Sequence, residues 1–139
     1  MAGELILDTG AFVALVDRSE RRHAECVTAL AAWKGLVLTT EAVLAETLHL
    51  VGPAWSAQKV CLEFFLRGAF LLVPSSPPSL RRAAALMEQY RDAPMDFADA
   101  TLVALAEDVR TDRILTLDRK GFSAYRLFGK QPFRLLPSS

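Results

Sequence analysis

Short runs of apolar residues, almost unbroken, recur along this chain between longer stretches with helical spacing. The runs are Glu4 to Leu7, Leu36 to Leu38, Ala69 to Val73 and Ile114 to Leu117, with a further possible strand at Phe133 to Leu136 in the tail. A strand with one wet face alternates polar and apolar residues, whereas a strand covered on both faces does not. Strands of this kind alternating with helices predict an α/β fold: a parallel sheet with helices packed over it.

The intervening helices can be placed by their stops and stripes. One short helix follows at Ala11 to Val16. The next runs from about Glu20 to Trp33, with Ser19 as its N-cap and Cys26, Val27, Leu30 and Trp33 as its inner stripe, and Gly35 ends it. Thr39 or Thr40 caps a helix that continues through Val51 and is closed by Gly52-Pro53. Trp55 to Arg67 is amphipathic and stops at Gly68; Pro74 to Pro78 reads as a loop, Leu80 to Tyr90 as a helix, and about Phe97 to Val109 as another after the Pro94 turn. No internal repeat or linker divides the chain. Its 139 residues, 52% of them apolar, are expected to form a single domain spanning 1–139.

Five acids stand out against this pattern. Asp8 and Asp118 each close an apolar strand, the position where open α/β sheets build their sites. Each also suits a turn or a cap. Asp96 and Asp99 begin one helix, where Asp96 fits an N-cap and Asp99 the third helical position of a capping box. Asp99, however, shares a helix face with Leu102, Val103 and Ala106 and so points inward. Glu46 lies between Val43 and Leu50 on or beside a buried stripe, where an unpaired carboxylate costs several kcal/mol and must find a cation, a hydrogen-bonding cluster or a proton.

If these carboxylates converge, their mutual repulsion calls for a divalent cation, and an all-oxygen donor set favours Mg²⁺ or Mn²⁺ over zinc. Such an ion polarises a phosphodiester and activates water. His23 and His49 are isolated, His23 on a polar stretch expected at the surface and His49 expected to pack or contact a helix face; no serine or cysteine has a nearby histidine partner, and no phosphate-binding GxxxxGK[ST] loop is present. Thr9 and Thr116 carry hydroxyls that suit water or ligand orientation as well as strand-end turns.

The segments LILDTGAFVALVD, TTEAVLAETLHL, MDFADATLVALAE and ILTLDRKGF, in this order over essentially the whole chain, resemble PIN-domain ribonucleases, and among them the VapC-type toxins of VapBC toxin–antitoxin pairs. The resemblance implies a PIN-like three-layer sandwich with a central parallel sheet of strand order 3-2-1-4-5 and helices on both faces. It places the family's four acids on Asp8, Glu46, Asp99 and Asp118, with Asp96 as an additional acid. It implies an endoribonuclease dependent on one or two Mg²⁺ or Mn²⁺ ions, with Asp8, Asp99 and Asp118 as direct or water-mediated ligands, Glu46 holding the metal through water or positioning the nucleophile, and Asp96 assisting from outside the ligand set or as a ligand of a second ion. It also implies an antitoxin partner and a homodimer. A housekeeping RNA-processing nuclease and a non-catalytic binding or assembly domain are the alternatives.

Sixteen basic residues balance sixteen acidic ones, so RNA binding must rest on local groups: Arg18, Arg21 and Arg22; Arg81 and Arg82; or Arg119 and Lys120 beside Asp118. The apolar surface around Trp55, Val60, Cys61, Phe64, Phe65 and Leu66 is expected to be shared between core and partner. Cys26 and Cys61 are expected as buried free thiols, and with no signal peptide and no apolar run of roughly twenty residues the expectation is a cytoplasmic, membrane-free protein.

Overall fold

The computed structural model describes residues 3–138. Strand β1 (Glu4–Leu7) leads into α1 (Thr9–Val16) and α2 (His23–Ala32); β2 (Leu36–Thr40) is followed by α3 (Glu41–Leu50) and α4 (Trp55–Leu66). Then come β3 (Leu71–Val73), α5 (Pro77–Gln89), α6 (Phe97–Val109), β4 (Arg113–Leu115) and α7 (Arg119–Ala124). A small hairpin, β5 (Arg126–Leu127) with β6 (Gln131–Pro132), precedes the last strand, β7 (Arg134–Leu136).

Five strands form one sheet in the order β3-β2-β1-β4-β7, every pairing parallel. Counting sheet strands in chain order, this is the expected 3-2-1-4-5 arrangement, with helices on both faces. Leu5, Ile6 and Leu7 of the central strand are wholly buried, as are Ile114 and Leu115 beside them, which is why these runs carry no polar alternation. Helix α6 lies against β1 and β2 and is covered in turn by α5, so Leu102, Val103 and Ala106 are inaccessible. On α1, Phe12 packs against Phe64, Phe65 and Phe70 with ring centres 5.4–5.9 Å apart, tying α4 to the sheet. Of these rings Phe12 and Phe70 are fully buried, each removing apolar surface worth about 1.5–3 kcal/mol, while Phe64 and Phe65 are half-buried.

Several boundaries differ from the sequence expectation for local physical reasons. Helix α5 begins at Pro77, not Leu80, because Ser76 caps it reciprocally with Ser79 and two prolines occupy the first positions, where no amide hydrogen is needed. Helix α2 begins at His23; Ser19 bonds Asp17 instead of capping it. His23 is not a surface residue but half-buried, its Nδ1 2.6 Å from the Ala14 carbonyl oxygen. His49, at the solvent face of α3, is exposed rather than packed. Val27 and Leu50, expected on inner stripes, are 41% and 60% exposed, because α2 and α3 each bury only a narrow face, around Cys26 and around Val43 and Thr47. Cys26 and Cys61 are buried free thiols, their acidity reduced by desolvation. Among the described residues no helix is long and apolar enough to cross a membrane.

Candidate carboxylate site at the C-terminal edge of the sheet

Strand order reverses between β1 and β4, and this pair sets the geometry of the acids. Register pairs Ile6 with Ile114 and Leu7 with Leu115, so the next residues on each strand, Asp8 and Thr116, also lie side by side. The Asp8 amide donates to the Leu115 carbonyl at 3.0 Å, and the Thr116 hydroxyl donates to Asp8 Oδ2 at 2.6 Å. Thr116 Oγ1 also accepts the Asp118 amide at 3.0 Å. One wholly buried threonine thus bridges the two strand-end aspartates. Thr9 does the same for Glu46: its hydroxyl donates to Glu46 Oε1 at 2.8 Å, drawing α3 toward the end of β1. Glu46 is half-buried, and this bond satisfies the oxygen that its position on α3 turns inward.

Capping and membership of this group are not alternatives here. Asp8 caps α1 by accepting the Thr9 amide, Asp96 caps α6 by accepting the Asp99 amide at 2.9 Å, and Asp118 caps α7 by accepting the Gly121 amide at 3.0 Å. Gly121 permits that last approach, since a Cβ there would lie 2.5 Å from Asp118 Oδ2. Asp99 does not complete a capping box with Asp96; its Oδ2 instead accepts the Tyr125 hydroxyl at 2.9 Å. Tyr125 was not legible as a site residue. It follows α7, packs edge-on against Tyr90 and Phe122, and meets Asp99 across 26 positions of chain, with no local spacing to betray it.

The electrostatics show that these acids feel one another. Burial raises the Asp8 carboxyl from 3.8 to about 6, opposed by its bonds to Thr116 and Thr9 and reinforced by the charges of Asp118 and Glu46. Asp99 rises to about 7, first from burial, then from the charge of Asp96, with Asp8 and Asp118 adding to it against the Tyr125 hydrogen bond. Tyr125 is held well above its ordinary range by burial and by the charge of Asp99. No lysine or arginine among the described residues forms an ion pair with Asp8, Glu46, Asp96, Asp99 or Asp118.

Among the described residues no group of three or more His, Cys, Asp or Glu side chains is gathered as a ready-made metal cage. The donors nevertheless suit a hard divalent cation in kind: all are carboxylate oxygens, uncompensated by any cation, and each hydroxyl or amide partner leaves lone pairs free. Of the basic groups, Arg82 is committed to Glu107 at 2.7 and 2.9 Å, Arg22 to Glu25 at 2.7 Å, and Arg119 Nη1 to the Pro137 carbonyl at 2.9 Å. Lys120, two positions after Asp118, is exposed.

Comparison with known proteins agrees with this architecture. Residues 5–127 match the model of the PIN domain. Ribonuclease VapC26 of Mycobacterium tuberculosis is 33% identical over 135 residues, covering 96% of this chain and 100% of that protein. VapC20 of Mycobacterium tuberculosis, a sarcin–ricin loop cleaving toxin, superposes with a TM-score of 0.73 at 20% identity, over 79% of this chain and 86% of its own. VapBC2 of Rickettsia felis, bound to a promoter DNA fragment, gives 0.69 at 15% identity over 95% and 98%. A toxin–antitoxin complex from Klebsiella pneumoniae gives 0.64 at 24% identity over 86% and 91%. The chain therefore belongs to the PIN-domain family, with clear homology to the VapC-type toxins of VapBC toxin–antitoxin systems.

Proposed function

We propose that this protein is a single-domain endoribonuclease that depends on Mg²⁺ or Mn²⁺ and acts as the toxin of a toxin–antitoxin pair. The observation that carries the reading is the group of carboxylates at the sheet's switch point, unpaired with any described cation, on a chain homologous to VapC ribonucleases. Asp8, Asp99 and Asp118 would hold the cation directly or through water, Glu46 would act through water, and Asp96 would add charge from the start of α6. When bound, the cation supplies charge neutralisation at the phosphate and a lowered pKa for water.

The chain's own part is positioning. Thr116 fixes the orientation of Asp8 and the backbone of Asp118 together, Thr9 fixes Glu46, and Tyr125 fixes one oxygen of Asp99. Holding like charges together in the free protein is unfavourable, and these carboxylates would find relief only in a bound divalent cation, which would also offset the charge of the RNA phosphate. Lys120 is the exposed cation nearest in sequence to Asp118 and would meet the RNA backbone. An antitoxin chain and a second copy of this chain would cover the apolar surface at Trp55, Val60 and Leu66, which are 63%, 46% and 82% exposed.

Incubating the purified protein with pooled cellular RNA in Mn²⁺ or in EDTA, and mapping new ends, tests the reading. Metal-dependent cuts that vanish in Asp99→Asn and Asp118→Asn, both folded, support it. Absence of cuts after release from any copurifying partner would overturn it.

A further inference from the structure

The opposite edge of the sheet holds a feature that the carboxylate site does not explain. At the N-terminal ends of β1, β4 and β7, a recess of about 420 Å³ is lined by Trp33, Arg110, Arg113, Phe128, Gln131 and Arg134, among others. Phe128 is the first central residue of the tight turn between β5 and β6, closed by the Lys130 amide on the Leu127 carbonyl at 2.9 Å. Its φ is +52°, and that of Gly129 is +71°. This turn type favours Asn or Gly at its first position, and a bulky side chain there is disfavoured. Burial does not compensate, because Phe128 is 52% exposed. Its amide is held by Glu107 Oε2 at 2.7 Å, and Glu107, only 7% exposed, is clamped by both Nε and Nη2 of Arg82.

Among the described residues the other non-glycine with left-handed backbone, Arg110 at φ +59°, is the C-cap of α6 and lies with its guanidinium carbon 5.9 Å from the Phe128 ring centre. Arg113 stacks likewise over Trp33 at 5.7 Å. Asp112 accepts from Arg134 Nε and from Gln131 Nε2, both at 3.0 Å, and stands 3.7 Å from Arg113 Nε, which is buried and makes no hydrogen bond. Three arginines thus meet two carboxylates, Asp112 and Glu4, leaving net positive charge beside two aromatic faces. An outlying backbone that presents an exposed ring, braced by a half-buried ion pair, is the kind of strain that accompanies a binding role.

We propose that this recess is a second binding site for single-stranded RNA, in which a base stacks on Phe128 and the guanidinium groups of Arg110, Arg113 and Arg134 hold phosphates. Stacking on an exposed ring combined with arginine contacts to the backbone is how unpaired RNA is gripped without strict sequence choice. The recess begins at Glu4 and the carboxylates begin at Asp8, so β1 separates the two by roughly 13 Å along the strand. RNA seated here flanks the segment being cut. The proposal rests on the ribonuclease reading for its choice of ligand.

Fluorescence anisotropy with a short end-labelled single-stranded RNA, in EDTA so that binding is read without cleavage, provides the test. Phe128→Gly and Arg110→Gly remove the side chains while leaving a residue that favours the left-handed backbone, so both variants keep or raise the wild-type Tm. Each is expected to weaken binding about tenfold. Arg110→Gly should also flatten the dependence of log K on log salt by about 0.7. Cleavage of a minimal dinucleotide substrate in Mn²⁺ stays at the wild-type rate in both. Affinities within twofold of wild type, or no binding by the wild-type protein, would sink the proposal. So would unchanged RNA affinity with lost capture of a copurifying protein, which would make the recess a protein-docking surface. Side-chain-dependent binding without any cleavage would leave this site standing and remove the nuclease reading; cleavage with binding indifferent to both variants would do the reverse.

Discussion

Replacing Asp8 by asparagine should change the stability of the metal-free protein in opposite directions at the two ends of the acidic-to-neutral range. Asp8 is 6% exposed, and its carboxyl is raised from 3.8 to about 6. The folded state therefore holds a proton that the unfolded chain has already lost between about pH 4 and pH 6. The Asp8 contribution to wild-type stability falls as pH rises through that window and is level above it. A rise of this size corresponds to about 3 kcal/mol lost by about pH 7.5. Asparagine carries no charge and escapes this loss. Its Oδ1 still accepts the Thr9 amide, but its Nδ2 faces the Thr116 hydroxyl, whose proton loses the carboxylate it now binds at 2.6 Å. That loss costs about 1–2 kcal/mol. The variant should then be about 1–2 kcal/mol more stable than wild type near pH 7.5 and about 1 kcal/mol less stable near pH 4. Removing the Asp8 charge also eases Asp99, which reinforces the gain at neutral pH. Urea unfolding in EDTA across this range measures it, and adding Mn²⁺ should raise the wild-type midpoint while leaving the variant nearly unmoved. A variant that is destabilised equally at every pH, or that keeps the full response to Mn²⁺, would refute the reasoning.

Thr116→Val keeps the shape of a wholly buried side chain but removes both the donor to Asp8 and the acceptor for the Asp118 amide. It should cost about 1–3 kcal/mol in denaturant unfolding and weaken Mn²⁺ binding measured by calorimetry. Tyr125→Phe deletes the donor that holds the Asp99 carboxyl down, so Asp99 should titrate at higher pH. The acidic limb of the kcat/KM profile should move upward in pH, with activity below about pH 6 reduced about fivefold and the alkaline plateau little changed. Arg82→Met leaves Glu107, 6% exposed at its side chain, without its bidentate partner. Because Arg82 itself is 37% exposed, the expected loss is discounted to about 1–3 kcal/mol in urea unfolding.

The architecture was legible because its cause is local. Leu5-Ile6-Leu7 and Val37-Leu38 lack polar alternation since both of their faces are covered, and that requirement is written residue by residue. Asp99 could be read as inward because a helix of fixed period relates it to Leu102, Val103 and Ala106. Other features were hidden because they join residues far apart in the chain. Tyr125 reaches Asp99, Thr9 reaches Glu46, and Glu107 braces Phe128, each across at least 21 positions. Local rules also produced errors where tertiary packing decided the outcome, as with Val27 and Leu50, whose spacing fits an inner stripe that no neighbouring element covers.

By itself, then, the order of residues determined the five sheet strands, the six longer helices and which acids lie at strand ends and helix starts, since these follow from backbone period and capping within a few residues, whereas the short α7 and the β5–β6 hairpin carry too little periodicity to be read. Only the folded arrangement decided which hydroxyl orients which carboxylate, which arginines are spent on ion pairs, and which acids lose their solvent. Those outcomes depend on distances and dielectric between segments that meet only when the sheet is assembled.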